Sequence, residues 1–273
     1  MLNQKIMTQI TFASCVLTFW SASAHGPITS VPSDLPSEDT PGVNYFLDTT
    51  YENKRVHIAQ INLMHPQVKL RASSAQERGL TPTEFSTKTA AVAVINGDFF
   101  DGNLNPVGLA AGVGEKWPQS ADTESWSFLA CDDKNNCIID DYQKATAWRR
   151  EWTNVVGGWQ ILLDPNFEWT RADDKACGEF CTIEHPRTAL GLSADRKTMW
   201  WVMVEGRQRN LSGLSLADTT RIFKKLGARW ALNLDGGGSS GLLMNGRRMN
   251  LRPTNEPLER RVANCLAVVR PTQ

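Results

Sequence analysis

The sequence predicts an α+β fold in one domain, a strand-rich mixed sheet core with a few packed helices. Three observations lead there. Most short apolar segments alternate or run continuously like strands, one segment alone carries a full set of helix signals, and strands and helices do not alternate as a doubly wound sheet requires. The chain has 273 residues, 41% apolar and 21% charged, which suffices for one sizeable core.

The N-terminus reads as a leader. Lys5 precedes an apolar stretch over residues 10–20 and the small triplet Ala22-Ser23-Ala24. That stretch is shorter than the roughly 20 residues a bilayer span needs, so residues 1–24 are expected to be a cleaved signal peptide that leaves no membrane span. Residues 25–42 carry Pro27, Pro32, Pro36 and Pro41 and read as an extended arm. The domain is expected over 43–273, in the periplasm or outside the cell.

Within the domain, residues 55–64, 68–73 and 90–95 have strand patterns, the last ending in Asn96-Gly97-Asp98. Residues 126–130 and 160–163 are further strands. Residues 188–193 and 198–204 form a hairpin, and the second arm, TMWWVMV, is apolar on both faces and so central. The helix spans 216–226, opened by Ser215 with Asp218 three residues on and closed by Gly227. A strand at 231–234 then breaks into Asp235-Gly236-Gly237-Gly238-Ser239-Ser240, and Asn245-Gly246 turns another hairpin. Residues 262–269 close the domain as a buried strand.

Lys+Arg and Asp+Glu are equal at 29 each, with the basic residues dispersed, which argues against a nucleic-acid partner. No segment signals a protein partner. Export makes disulfides available: Cys131 and Cys137 bracket a turn, and Cys177 and Cys181 form a second candidate pair. Cys265 reads as a small core residue. With four histidines in the chain and no CxxC spacing, a zinc site is disfavoured.

Four polar clusters follow strands. The Asp235 loop offers glycine amides and the Ser239 and Ser240 hydroxyls to an anion, though three glycines also suit a tight turn. His185-Pro186-Arg187 presents a rigid guanidinium, whose fork suits phosphate or a surface carboxylate. Glu205-Gly206-Arg207 ends the central strand, and Asn96-Gly97-Asp98 follows another.

Taken in order, INGDFF, Asn105-Pro106-Val107-Gly108-Leu109, Gly157-Gly158, HPRTALGLS, VEGRQ, ALNLDGGGSSG and Arg260-Arg261-Val262-Ala263-Asn264 resemble the phosphodiester glycosidase domain family over about residues 55–270. The resemblance implies an α+β fold and hydrolysis of the bond between a sugar's anomeric carbon and a phosphodiester oxygen, with an envelope or exopolysaccharide type of substrate. By motif position it brings Asn96, Asp98, Arg187, Gly206-Arg207, Asp235 with its glycines, Arg261 and Asn264 into the site. The family usually has Asp-Gly-Arg where this chain has Glu205-Gly206-Arg207, which puts the role of Glu205 in question.

A phosphodiester leaves as a stable anion and needs charge stabilisation more than protonation. Arg187, Arg207 and the Gly236, Gly237 and Gly238 amides are therefore expected to hold the phosphate, with Asn96, Ser239, Ser240, Arg261 and Asn264 binding beside them. Asp235 and Glu205 are expected on the sugar side as base, nucleophile or oxocarbenium stabiliser, with Asp98 a third candidate. No cofactor is required. A divalent cation, Ca²⁺ or Mg²⁺, is the alternative if Asn96, Asp98, Asp101 and Asp235 ligate it, which would make the chain a metal-dependent phosphodiesterase. A polysaccharide-binding envelope protein without turnover is the other alternative.

Ten tryptophans against three tyrosines are an excess. Trp200, Trp201 and Trp230 read as core. Trp117, Trp126, Trp148, Trp152, Trp159 and Trp169 fall between the motifs, where rings that border a cleft would stack on sugar faces and the others would pack.

Overall fold

The computed structural model describes residues 40–51, 53–118, 126–141 and 149–271. The leader, nearly all of the Pro-rich arm, and Trp148 lie outside them. Numbered in chain order, the strands form three sheets. The largest has the order β1 (Val43–Asp48), β2 (Val56–Asn62), β13 (Thr198–Val204), β12 (Arg187–Ser193), β14 (Ala228–Asn233), β10 (Ile161–Asp164), β11 (Phe167–Glu168). The second runs β16 (Arg247–Arg248), β15 (Leu242–Met244), β4 (Ala93–Asn96), β17 (Cys265–Val269), β3 (Lys69–Ala72). The third runs β6 (Glu115–Lys116), β5 (Ala111–Gly112), β9 (Asn154–Gly158), β7 (Ser127–Cys131), β8 (Cys137–Asp141). Neighbouring strands pair antiparallel, and the helices α1 (Pro82–Thr89), α2 (Arg171–Cys177), α3 (Glu179–Thr182) and α4 (Leu216–Leu226) complete an α+β domain.

The doubly apolar TMWWVMV segment is β13, in the interior of the large sheet. Its period of two sorts the side chains. Met199, Trp201 and Met203 enter a core shared by all three sheets, with Leu190, Leu232, Ile95, Leu266, Leu129 and Val156. Trp200, Val202 and Val204 face the other way, against Ile222 and Phe223 of α4. Each large side chain buried in this way stabilises the fold by about 1.5–3 kcal/mol.

Local chemistry sets the element ends. The Ser215 hydroxyl accepts from the Asp218 amide to open α4, and Gly227 ends it at φ +83°. Asn245 and Gly246, both at positive φ, turn β15 into β16. Helix α1 was not anticipated, although Thr81-Pro82-Thr83-Glu84 is a capping box with proline at the first turn. Both expected disulfides form. Cys131 and Cys137 are direct cross-strand partners, and Cys177–Cys181 ties α2 to α3. Cys265 is free and buried, with its thiol pushed up by desolvation.

The antiparallel register assembles one rim. Arg187, at the start of β12, lies opposite Val204 at the end of β13, and Ala189 lies opposite Asn233 at the end of β14. Asn96 at the end of β4 opposes Cys265 at the start of β17. The rim therefore collects the residues that follow β4, β9, β13 and β14 and those that precede β17.

Candidate functional site

Asn96 joins the two sheets at this rim. Its Nδ2 donates to the Asp235 carbonyl at 2.7 Å, and its Oδ1 accepts from the Thr188 hydroxyl at 2.9 Å and the Gly241 amide at 3.1 Å. The Asp235 amide in turn donates to the Gly97 carbonyl. With both side-chain atoms so engaged and the residue fully buried, Asn96 braces the loop instead of reaching for a ligand.

Around Asp235 opens a cleft of about 180 Å³, lined by Phe180, His185, Pro186, Arg187, Arg207, Asp235, Gly236, Gly237, Gly238 and Arg260. Burial raises the Asp235 carboxyl to about 6, against the opposing pull of the Ser239 hydroxyl, Arg260, the Gly236 amide and Arg207. Asp98 lies next to it and is 1% exposed. Burial pushes its carboxyl well up, the Asn264 amide and the Gly157 and Asp98 backbone amides pull it down, and the charge of Asp235 raises it again. Asn264 grips Asp98 twice: its Nδ2 donates to Asp98 Oδ1 at 2.7 Å, and its Oδ1 accepts from the Asp98 amide at 2.8 Å. Gly157 allows the close approach, because a Cβ there would stand 2.7 Å from Asp98 Oδ2. Asn264 thus positions an acid.

The cations differ in how they are held. Arg187 is 2% exposed; its Nε donates to the Leu214 carbonyl and its Nη2 to those of Phe180 and Ile183, while its guanidinium lies 5.1 Å from the Phe180 ring centroid. Nη1 has no hydrogen-bond partner among the described residues. Burial lowers this guanidinium to about 10, so it is charged at neutral pH. The Arg207 guanidinium has no hydrogen-bond or ion-pair partner among the described residues. It lies against Gly237, which is at φ +60°, a conformation that favours glycine, and a Cβ there would stand 3.2 Å from both Nη atoms, so a larger residue would displace the guanidinium. Arg260 pairs with Glu256 over Gly238.

Several expected residues are placed elsewhere. Glu205 does not line the cleft. Its Oε1 accepts from His57 Nε2 at 2.8 Å and the Leu251 amide at 2.9 Å, and Arg55 Nε is 3.6 Å from Oε2. Burial acts to raise this carboxyl, but these partners outweigh it and hold it below its ordinary range. The Tyr45 hydroxyl lies 2.7 Å from the other ring nitrogen of His57, giving a buried Tyr45–His57–Glu205 chain. Burial lowers His57, and in the neutral tautomer this network favours, Nε2–H donates to Glu205 while Nδ1 accepts from Tyr45. Arg261 donates to the Gly79 carbonyl and faces Glu84 at the surface, so its neighbour Arg260 is the cleft arginine. Consecutive residues of an extended chain point to opposite sides, and spacing alone did not show which faced in. Ser240 packs in the Asn96–Thr188 network. The Gly237 amide donates to the Pro186 carbonyl, so the loop offers an anion fewer free amides than a full nest. Asp101 is exposed and accepts from the Asn103 and Asn105 amides of its own loop. Among the described residues no three His, Cys, Asp or Glu side chains cluster as a metal site, and no helix is long and apolar enough to cross a membrane.

A family model described as phosphodiester glycosidase matches residues 89–269, which include the Asp98, Arg187, Arg207, Asp235, Arg260 and Asn264 positions. The chain belongs to the phosphodiester glycosidase family. Among solved structures, the fold resembles the catalytic domain of zebrafish N-acetylglucosamine-1-phosphodiester alpha-N-acetylglucosaminidase, auto-inhibited by its pro-peptide, with a TM-score of 0.67 at 17% identity over 90% of this chain and 87% of that one. A putative exported protein from Burkholderia pseudomallei K96243 matches with a TM-score of 0.61 at 17% identity, covering 79% of this chain and 74% of that one. A curated relative, the SPbeta prophage-derived uncharacterized protein YomE of Bacillus subtilis, is 34% identical over 89 residues, which are 33% of this chain and 13% of YomE. In this phosphodiester glycosidase family member the cleft gathers Asp235 with Arg187, Arg207 and Arg260.

Proposed function

We propose that the protein is an exported hydrolase that cleaves the bond between the anomeric carbon of a sugar and a phosphodiester oxygen, on an envelope or exopolysaccharide type of substrate. The observation that carries this reading is a desolvated carboxyl, Asp235, in one cleft with three arginines, with a second buried carboxyl, Asp98, close enough behind it for their charges to interact. Arg207, with Arg187 Nη1 and Arg260, holds the phosphate, whose departure needs a fixed positive field. Asp235, ionised above pH 6, acts at the anomeric carbon as base or nucleophile. Asp98, whose carboxyl burial pushes up toward the protonated form and which Asn264 holds, is the proton and hydrogen-bond donor beside it. Water supplies the new hydroxyl on the sugar, and the electron pair of the broken C–O bond leaves with the phosphate. The leader-like N-terminus, the two disulfides and the fold shared with an exported protein support export.

Hydrolysis of a sugar-1-phosphodiester in ¹⁸O-labelled water tests the reading. Label in the released sugar is expected. Label in the phosphate would mean attack at phosphorus and would overturn it.

A further inference from the structure

Four aromatic rings form a continuous cluster that reaches the cleft at Phe180. Trp159 and Phe180 have centroids 4.8 Å apart, Phe99 and Trp126 5.4 Å, Trp126 and Trp159 6.1 Å, and Phe99 and Phe180 6.1 Å. All four keep part of their surface exposed, whereas Trp117 and Trp152 are 1% and 6% exposed and pack in the core. Each ring except Trp126 is anchored next to the chemistry. Phe99 follows Asp98. Trp159 follows Gly157, which packs on Asp98, and Gly158, which packs on Asn233 and Leu232, and its amide donates to the carbonyl of Asn233, two residues before Asp235. Phe180 lines the cleft beneath Arg187, on the short α3 that the Cys177–Cys181 bridge fixes.

We propose that Phe99, Trp126, Trp159 and Phe180 form the subsite for the sugar whose anomeric bond is attacked, stacking on the apolar C–H face of a pyranose while the arginines hold its phosphate. This rests on the reading of the cleft as a phosphodiester glycosidase site. The position of the cluster selects the glycosyl group over the group beyond the phosphate, because Phe99 follows Asp98, Trp159 is bonded to the strand that leads into Asp235, and the cluster meets an arginine at Phe180. Planar rings with convergent polar groups at one end are what a pyranose requires, since its faces are apolar and its rim is polar. Exposed apolar surface next to a charged cleft is otherwise unfavourable in water, and a ligand that covers it recovers that cost.

Calorimetric titration tests the subsite without turnover, using methyl phosphate, hexyl phosphate and a panel of glucose, galactose, mannose and N-acetylglucosamine 1-phosphates. At least one sugar 1-phosphate is expected to bind the wild-type protein about tenfold more tightly than methyl phosphate. That excess should disappear in Trp159→Ala and Trp126→Ala, remain largely in Trp159→Phe, and leave methyl phosphate affinity within about twofold of wild type. Unchanged methyl phosphate binding also reports that each variant is folded. Sugar 1-phosphates that bind no better than methyl phosphate, or an excess that survives both alanine variants, overturn the proposal. So does hexyl phosphate outbinding every sugar, which would mark an acyl chain as the occupant. A chain that binds sugar 1-phosphates through the rings but places ¹⁸O label on phosphate would refute the hydrolytic reading and leave the subsite standing.

Discussion

Asp235 and Glu205 lie just past the ends of two strands in the same sheet, with β12 between those strands, and both are removed from bulk water. Their surroundings push them in opposite directions. Desolvation raises Asp235 and its neighbour Asp98, and outweighs the hydrogen bonds and charges that pull each down. Glu205 is matched by His57, the Leu251 amide and Arg55, and is held low. A buried carboxylate with its partners in place is a brace, whereas one short of partners stores a proton affinity that chemistry can use. Glu205 stands immediately before Gly206 and Arg207, and Arg207 is held at φ +54° with its carbonyl accepting from Thr254. The carboxylate, bonded through Oε1, therefore anchors the turn that carries the free cation.

The strongest way to break this contrast is to neutralise the acids without changing their shape. Asp235→Asn is expected to lower kcat by about 10³-fold or more, measured on a sugar-1-phosphodiester, with the melting temperature preserved. Asp98→Asn should behave likewise, because its Oδ1 can still accept from Asn264. If either variant kept near wild-type turnover, the assignment of the acids would fail.

The same division should appear among the cations. Arg207→Ala removes a side chain without hydrogen-bond partners among the described residues and should cost about 10²-fold in kcat/KM with little change in stability. Arg187→Ala leaves three backbone carbonyls without their donor, so urea unfolding should show a loss of about 2–4 kcal/mol besides any loss of rate. Equal stability in the two variants would contradict the geometry.

Glu205→Ala orphans the Leu251 amide and the His57 ring, and is expected to destabilise by about 3 kcal/mol in denaturant melts. Its residual activity, measured well below the melting temperature, should stay within about tenfold of wild type if the residue acts by bracing. A loss as large as that of Asp235→Asn would return Glu205 to the chemistry.

The smallest expected effect is the slope of stability with pH. Asp235 has a folded-state value of about 6 against an ordinary 3.8, so the native state binds the proton more tightly. Its contribution is full below pH 3.8 and is lost as pH rises through about 6, at most roughly 3 kcal/mol. Glu205 is shifted down and has the opposite sign, with stability present above its ordinary carboxylate range and lost as pH falls through its lower folded value. Urea melts carried from about pH 2 to 7 should lose the falling component in Asp235→Asn and, at the acid end of that range, the rising one in Glu205→Gln. The acid limb of kcat/KM should fall near pH 6 in the wild type.

Much of this molecule was legible without coordinates where the cause is local. The 188–204 hairpin, the capped helix at 216–226, the Asn245-Gly246 turn and the Cys131–Cys137 pairing depend on residues within a few positions of one another, and each forms as read. The α1 capping box is equally local, but its helix is only eight residues long, which leaves little periodicity to read. Motif order brought Asp98, Arg187, Arg207, Asp235 and Asn264 to one rim. It did not separate their tasks, because a task depends on the partners a side chain meets across the chain.

That is the boundary between the two sources. By itself the sequence determined the strand-rich α+β class, the disulfide pairs and the family to which the chain belongs, since periodicity, turn chemistry and motif order are properties of neighbouring residues or of their order. Only the tertiary structure decided that Asn96 braces, that Glu205 is tied to His57 from 148 residues away, that Arg260 and not Arg261 faces the cleft, and that Trp126 and Trp159 meet Phe99 and Phe180 beside the acids. These outcomes follow from register and side-chain direction where separate strands converge, and burial there sets which carboxyl keeps its proton.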